Sequence, residues 1–224
     1  MKSAYASTLD LVQKALARSL KPLGFRTRGR DFNRPVEEGV EHVISLFMAR
    51  PEIGPERPPE VRALVPDHYG QCALELGVYV AEVNDGAGPV KGMARNVHCM
   101  IRACAQDRST QRQIWWRLDR DPEAIAQDML DLIAASGFAW LDHFSSREKI
   151  IGTWVAYADG VFDPDWYVFT RRRARLDVAL MLAAQGRSTE ARSLLEEQIR
   201  RSTNLPAHVA YVHGLAKKLG IPLP

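Results

Sequence analysis

Leu9, Val12, Leu16 and Leu20 recur at spacings of three and four, with Leu23 just beyond, and mark one apolar stripe along a helix. Pro22 ends that helix near Lys21, because a residue before proline avoids the helical region, and Gly24 supplies the turn. The period then changes from helical to alternating. Residues 25–32 read as a first strand. Residues 40–48 form a second, with Val40, His42, Ile44, Leu46 and Met48 on one face. Residues 71–80 form a third, with Cys72, Leu74, Leu76, Val78 and Val80 on one face. Residues 98–104 give a fourth, and residues 114–116 a short fifth. Strands this close in sequence, joined by loops rather than helices, predict an antiparallel meander whose apolar face the first helix covers.

From Pro122 onward the pattern is helical. Ile125, Met129, Leu132 and Ile133 make one stripe; Phe138, Leu141 and Phe144 continue in a short second helix, and residues 146–157 form a third. A turn-rich break at residues 159–165 divides the chain into an α+β unit, residues 1–158, and a helical tail, residues 159–224, packed on it. The tail reads as helices over residues 173–185, 188–201 and 207–219. The predicted fold class is therefore α+β: an antiparallel sheet of four or five strands backed by helices, with a helical C-terminal appendage. Two long loops, residues 49–70 with five prolines and residues 82–96 with three glycines, read as mobile connections.

Composition changes this picture little. The 224 residues are 46% hydrophobic and 25% charged, as in an ordinary globular protein. A formal charge of +3 permits contact with nucleic acid without arguing for it. Three cysteines, Cys72, Cys99 and Cys104, are an odd count that suits a reducing cytosol better than a disulfide framework. The first residues carry no apolar signal core, and no run approaches the roughly 18 apolar residues of a membrane span. The expectation is a cytoplasmic protein without membrane contact; nothing in the sequence fixes its oligomeric state.

The candidate chemistry lies on the faces of the strands opposite the apolar ones. Arg26, Arg28 and Arg30 alternate, so one extended strand would present all three together. Glu41, Val43, Ser45 and Phe47 follow on the next strand, and Glu75, Gly77 and Tyr79 on the one after. With helices on one side of the sheet, the other shows a mixed basic, acidic and aromatic surface, fit either for an anionic or peptide ligand or for cross-strand Arg–Glu pairs in solvent. Trp115 and Trp116 are adjacent, so an extended backbone sends them to opposite sides and at most one joins the core. Arg171, Arg172, Arg173 and Arg175 enter the tail as a basic cluster of a kind that can neutralise phosphates, placed where cations oppose a helix dipole. No metal-ligand spacing, phosphate loop, dinucleotide fingerprint or nucleophile elbow is present, and the sequence predicts no cofactor and no metal.

Three short pieces carry a resemblance. They are Leu20-Lys21-Pro22-Leu23-Gly24-Phe25 followed by Arg28-Gly29-Arg30-Asp31-Phe32; Leu76-Gly77-Val78-Tyr79; and Ile114-Trp115-Trp116-Arg117-Leu118. Together, over roughly residues 5–145, they resemble an uncharacterised bacterial family, the domain of unknown function numbered four-three-zero-four. The resemblance implies a small helix-plus-sheet fold and no known activity, and it lends no catalytic residue. Ala179, Gly186, Ala191 and Leu195 fall where a tetratricopeptide hairpin places its small and apolar contact residues, so the tail resembles one such hairpin. The expected function is a non-enzymatic cytosolic binding or adaptor protein that docks a macromolecular partner. The alternatives are an enzyme acting on a phosphorylated or nucleic-acid substrate, with Glu41 or Glu75 as base, and a sequence-independent nucleic-acid binder. The enzyme needs a carboxylate of raised pKa inside a pocket.

Overall fold

The computed structural model describes residues 4–49, 60, 68–83, 90, 92–160 and 163–223. The loop readings at residues 50–67 and 84–91 lie outside the described residues, apart from Glu60 and Val90.

The apolar stripe of the first helix, α1 (Ala4–Leu20), is buried at Leu9, Val12, Leu16 and Leu20. A 3₁₀ turn through Pro22 follows, and Gly24 closes it by donating its N–H to the Lys21 carbonyl at 3.1 Å. Among the described residues seven strands then build one open sheet: β1 (Arg26–Arg28), β2 (Asp31–Glu37), β3 (Val40–Met48), β4 (Gln71–Val80), β5 (Ile101–Ala105), β6 (Trp116–Arg117) and β7 (Trp166–Val168). Their order is β1-β2-β3-β4-β5-β7, with β6 pairing one end of β4, and every pairing is antiparallel. The central strands β3 and β4 have the predicted bounds, because alternation is strongest where one face is wholly apolar.

The expected single strand over residues 25–32 is instead a hairpin. Gly29, at φ 62°, and Arg30 make a two-residue turn, so Arg28 pairs with Asp31. Arg26 and Arg28 share a face, but Arg30 does not join them, and its guanidinium lies 3.8 Å from Asp10 of α1. The fourth strand begins at Ile101 rather than His98, because residues 96–98 form a 3₁₀ turn; Cys99 follows that turn and is on no strand. The sheet exceeds four or five strands because β1, β6 and β7 hold only two or three residues each, too few for a periodic signal.

The helices lie against the apolar face. In α2 (Pro122–Leu132) the Asp121 side chain caps the first turn, accepting the Ala124 N–H at 2.9 Å. One wide turn, Ile133–Gly137, carries it into α3 (Phe138–Asp142). Next comes α4 (Arg147–Gly160), whose Arg147 bridges Glu37 at 2.9 Å and Glu82 at 2.6 Å and so ties the helix to the end of β2 and to the turn after β4. The C-terminal helices are α5 (Ala174–Ala184), α6 (Ser188–Arg201) and α7 (Pro206–Lys218). One continuous apolar core runs from Leu9 to Ile221 and takes in Trp140, Trp154, Trp166 and Phe144. The break expected at residues 159–165 begins inside α4, which runs to Gly160, and the described residues after it lead into β7, a strand of the same sheet. No helix among the described residues is long and apolar enough to cross a membrane.

Candidate functional site

Cross-strand register decides which side chains meet on the face turned away from the helices. Arg28 stands opposite Asp31, Asp31 opposite Ser45, Ser45 opposite Glu75, and Glu75 opposite Cys104. Partners at the same level of an antiparallel ladder project to the same side, so these residues form one row across five strands. The next row holds Arg26, Asn33, Val43, Gly77 and Arg102. Beyond it Glu41 pairs with Tyr79.

The face is not open along its length, as the sequence led us to expect. A strap, residues 92–100, crosses its middle, and Ala94 and Cys99 pack on Val43 and Tyr79 as a second, smaller apolar cluster. Gly77 permits the crossing: a Cβ there would stand 2.6 Å from the Cys99 Sγ and 3.0 Å from its Cβ. Asn33 holds the strap from below, donating to the Ala94 carbonyl at 2.7 Å and to Glu41 at 2.8 Å. Tyr79 is thereby removed from the surface. It is 5% exposed, and its hydroxyl accepts the Val90 N–H at 3.0 Å. Glu41 is half-buried on the far side of the strap, and Arg26 is exposed at the sheet edge; neither lines the cleft described next.

Between the strap and the β1–β2 hairpin lies a cleft of about 990 Å³. Arg28, Asp31, Ser45, Phe47 and Glu75 line its floor, and Arg95, Asn96, His98 and Arg102 its wall. Arg30 borders it at the turn. The cleft's acids are engaged from within. Asp31 accepts a hydrogen bond from Ser45 and lies 3.7 Å from Arg95. Glu75 accepts from the Asn96 amide and lies 3.3 Å from Arg102, which also donates to the Asn96 Oδ1 at 2.7 Å and stacks over the Phe169 ring at 4.6 Å. Burial holds the Glu75 carboxyl above the usual carboxylate range, and Arg102 and Asn96 oppose that shift. Arg28 makes no ion pair with a described residue. The Trp pair divides as its geometry requires: Trp116 is buried opposite Cys72 and takes no part in the site. Trp115 is half-buried, stacked on His68 at 4.3 Å and edge-on to Phe47 at 5.3 Å; it stands behind Phe47 and does not itself line the cleft.

Of the residues expected from sequence, the cleft thus brings together Arg28 and Glu75, with the Arg30 turn at its border and Trp115 behind Phe47. Asp31, Asn96 and Arg102 were missed. Asp31 was hidden by the misread strand, and Asn96 lies in a loop that no periodicity describes. Among the described residues no three His, Cys, Asp or Glu side chains converge to hold a metal ion. Comparison with protein-family models, curated proteins and solved structures found no match to this chain.

Proposed function

We propose that this is a non-enzymatic binding protein whose far-face cleft docks a segment of a protein partner, an acidic residue beside an aromatic or aliphatic one. One observation carries the reading. The cleft's own carboxylates are already engaged by Ser45, Arg95, Asn96 and Arg102, while Arg28 is exposed and lines the same cleft as Phe47 and the exposed Val97. Such a surface offers a cation and apolar area at once, the combination that anchors a peptide. Buried free thiols at Cys72, Cys99 and Cys104 suit a reducing compartment, and the resemblance to the unknown-function family leaves this reading open. Selection of displayed peptides on the wild-type protein tests it. Acidic-aromatic peptides should emerge, and Arg28→Glu should weaken them about tenfold, the loss expected for one charge-assisted hydrogen bond. Arg192→Glu, on α6, should leave them unchanged. No enrichment, or equal affinity in Arg28→Glu, refutes the proposal.

A second reading, an enzyme acting on a phosphorylated or nucleic-acid substrate, is favoured by Glu75, whose carboxyl is raised inside a cleft. Turnover of phosphate esters or oligonucleotides by the wild type, abolished in Glu75→Gln, would favour it over binding alone.

A further inference from the structure

A second cleft, of about 780 Å³, lies where the end of α4, the 3₁₀ turn Arg171–Arg173, the end of α6 and the start of α7 meet. Arg171, Arg172, Arg173, Arg175 and Arg201 all line it. Among the described residues three acids are paired with them. Asp159 is paired with Arg175 and lies 3.4 Å from Arg201; Glu197 lies 3.2 Å from Arg175 and 3.0 Å from Arg201; Asp177 lies 3.6 Å from Arg173. Two positive charges are left in surplus. They belong to Arg171, whose guanidinium stacks 5.7 Å from the Tyr157 ring with its buried Nε lacking any hydrogen-bond partner, and to Arg172, which is exposed and makes no ion pair with a described residue.

Helix stability does not account for this arrangement. Three cations at the approach to α5 oppose its dipole, and neither Thr170 nor Arg173 supplies a side-chain cap. The opening turn of α7, also without a side-chain cap, borders the same cleft. Apolar surface stands beside the charge: Leu205 is 55% exposed, next to Pro206 and Ala207. A concavity of this size falls within the roughly 300–1,000 Å³ typical of small-molecule sites, and a net charge of only +3 gives the chain little long-range attraction for a nucleic-acid polymer.

We infer that this cleft binds a small phosphate monoester, a dianion matched to the two surplus charges, with its organic body against Leu205. The inference is independent of the far-face cleft. Calorimetric titration at low salt with AMP, adenosine and pyrophosphate tests it, together with anisotropy of a short labelled single-stranded oligonucleotide. AMP and pyrophosphate should bind and adenosine should not. Arg172→Glu, at an exposed position, should weaken AMP about tenfold or more, with Arg171→Gln as a second variant and near-ultraviolet circular dichroism to verify folding; Arg28→Glu should have no effect. Failure of both phosphate probes to bind, or equal AMP affinity in folded Arg172→Glu and Arg171→Gln, overturns the inference. An oligonucleotide that binds more tightly than either small probe overturns it in favour of nucleic acid.

Discussion

Lowering the pH should destabilise this protein through one imidazole. His42 is wholly buried between the sheet and the helices. The Arg34 guanidinium stands 3.1 Å from its Nδ1, and the Phe144 carbonyl 3.4 Å from its Nε2. That geometry suits a neutral ring, Nδ1 accepting from Arg34 and Nε2–H donating to Phe144. Burial first, and then the Arg34 charge, push its pKa down to about 4; Phe144 and Asp142 oppose the shift and Lys149 adds to it. The folded value lies below the unfolded one, near 6.5, so the unfolded chain takes up the additional proton. Stability from this group is therefore complete above the unfolded pKa and is lost as pH falls toward the folded one. Linkage gives a loss of about 2 kcal/mol between pH 7 and pH 5, rising to about 3 kcal/mol at pH 4. Urea denaturation at a series of pH values, for the wild type and His42→Gln, isolates the term, because the carboxylates titrate alike in both. The variant should be less stable at neutral pH, with its stability flatter between pH 7 and pH 5 by about 2 kcal/mol. Parallel pH profiles would refute the reasoning.

Two further outcomes follow from packing. Gly77→Ala should destabilise the fold by about 1–3 kcal/mol, the usual range for overpacking, because its Cβ would stand 2.6 Å from the Cys99 Sγ; chemical denaturation measures this, and recovery in Gly77→Ala/Cys99→Gly would assign the loss to that contact, whereas an unchanged midpoint in Gly77→Ala would refute it. Burial pushes the Cys72 thiol up to about 12, the Cys104 thiol up to about 11, and the Cys99 thiol well upward. An aromatic disulfide reagent should therefore leave all three unreacted in the native protein at about pH 8 and label all three in denaturant, and rapid native labelling of any one would contradict the burial.

What was legible in the sequence was what one strong period governs. The stripe of α1 and the alternation of β3 and β4 each bury one whole face, so the pattern of apolar residues and the pattern of burial coincide. The β1–β2 hairpin was not legible, because Arg26–Arg28 is exposed throughout and carries no alternation; only Gly29 marked the turn, and a glycine within a strand also suits a bulge. The candidate site was half legible. Glu75 and Arg28 follow from face assignment along a strand. The strap does not, because its hold on the sheet rests on Asn33, Asn96 and Cys99, single residues at large sequence separations. Consequently Tyr79 was placed on a free surface that Ala94 and Cys99 cover.

The same few residues relate the two clefts. Arg102 forms part of the far-face wall through Glu75 and Asn96, and its side chain rests on Phe169. Its backbone N–H donates to the Thr170 Oγ1 at 3.1 Å, and its carbonyl accepts the Phe169 N–H at 3.2 Å. Residue 171 opens the basic turn immediately afterwards. One residue of β5 thus fixes a wall of the first cleft and the starting point of the second. The first lies on the face of the sheet, and the second where helices and the Arg171–Arg173 turn meet just beyond β7. Coupling between them would require an element with two arrangements that both ligands bias. Arg102 is held by these contacts in one arrangement, and we propose two separate clefts on one scaffold rather than a relay.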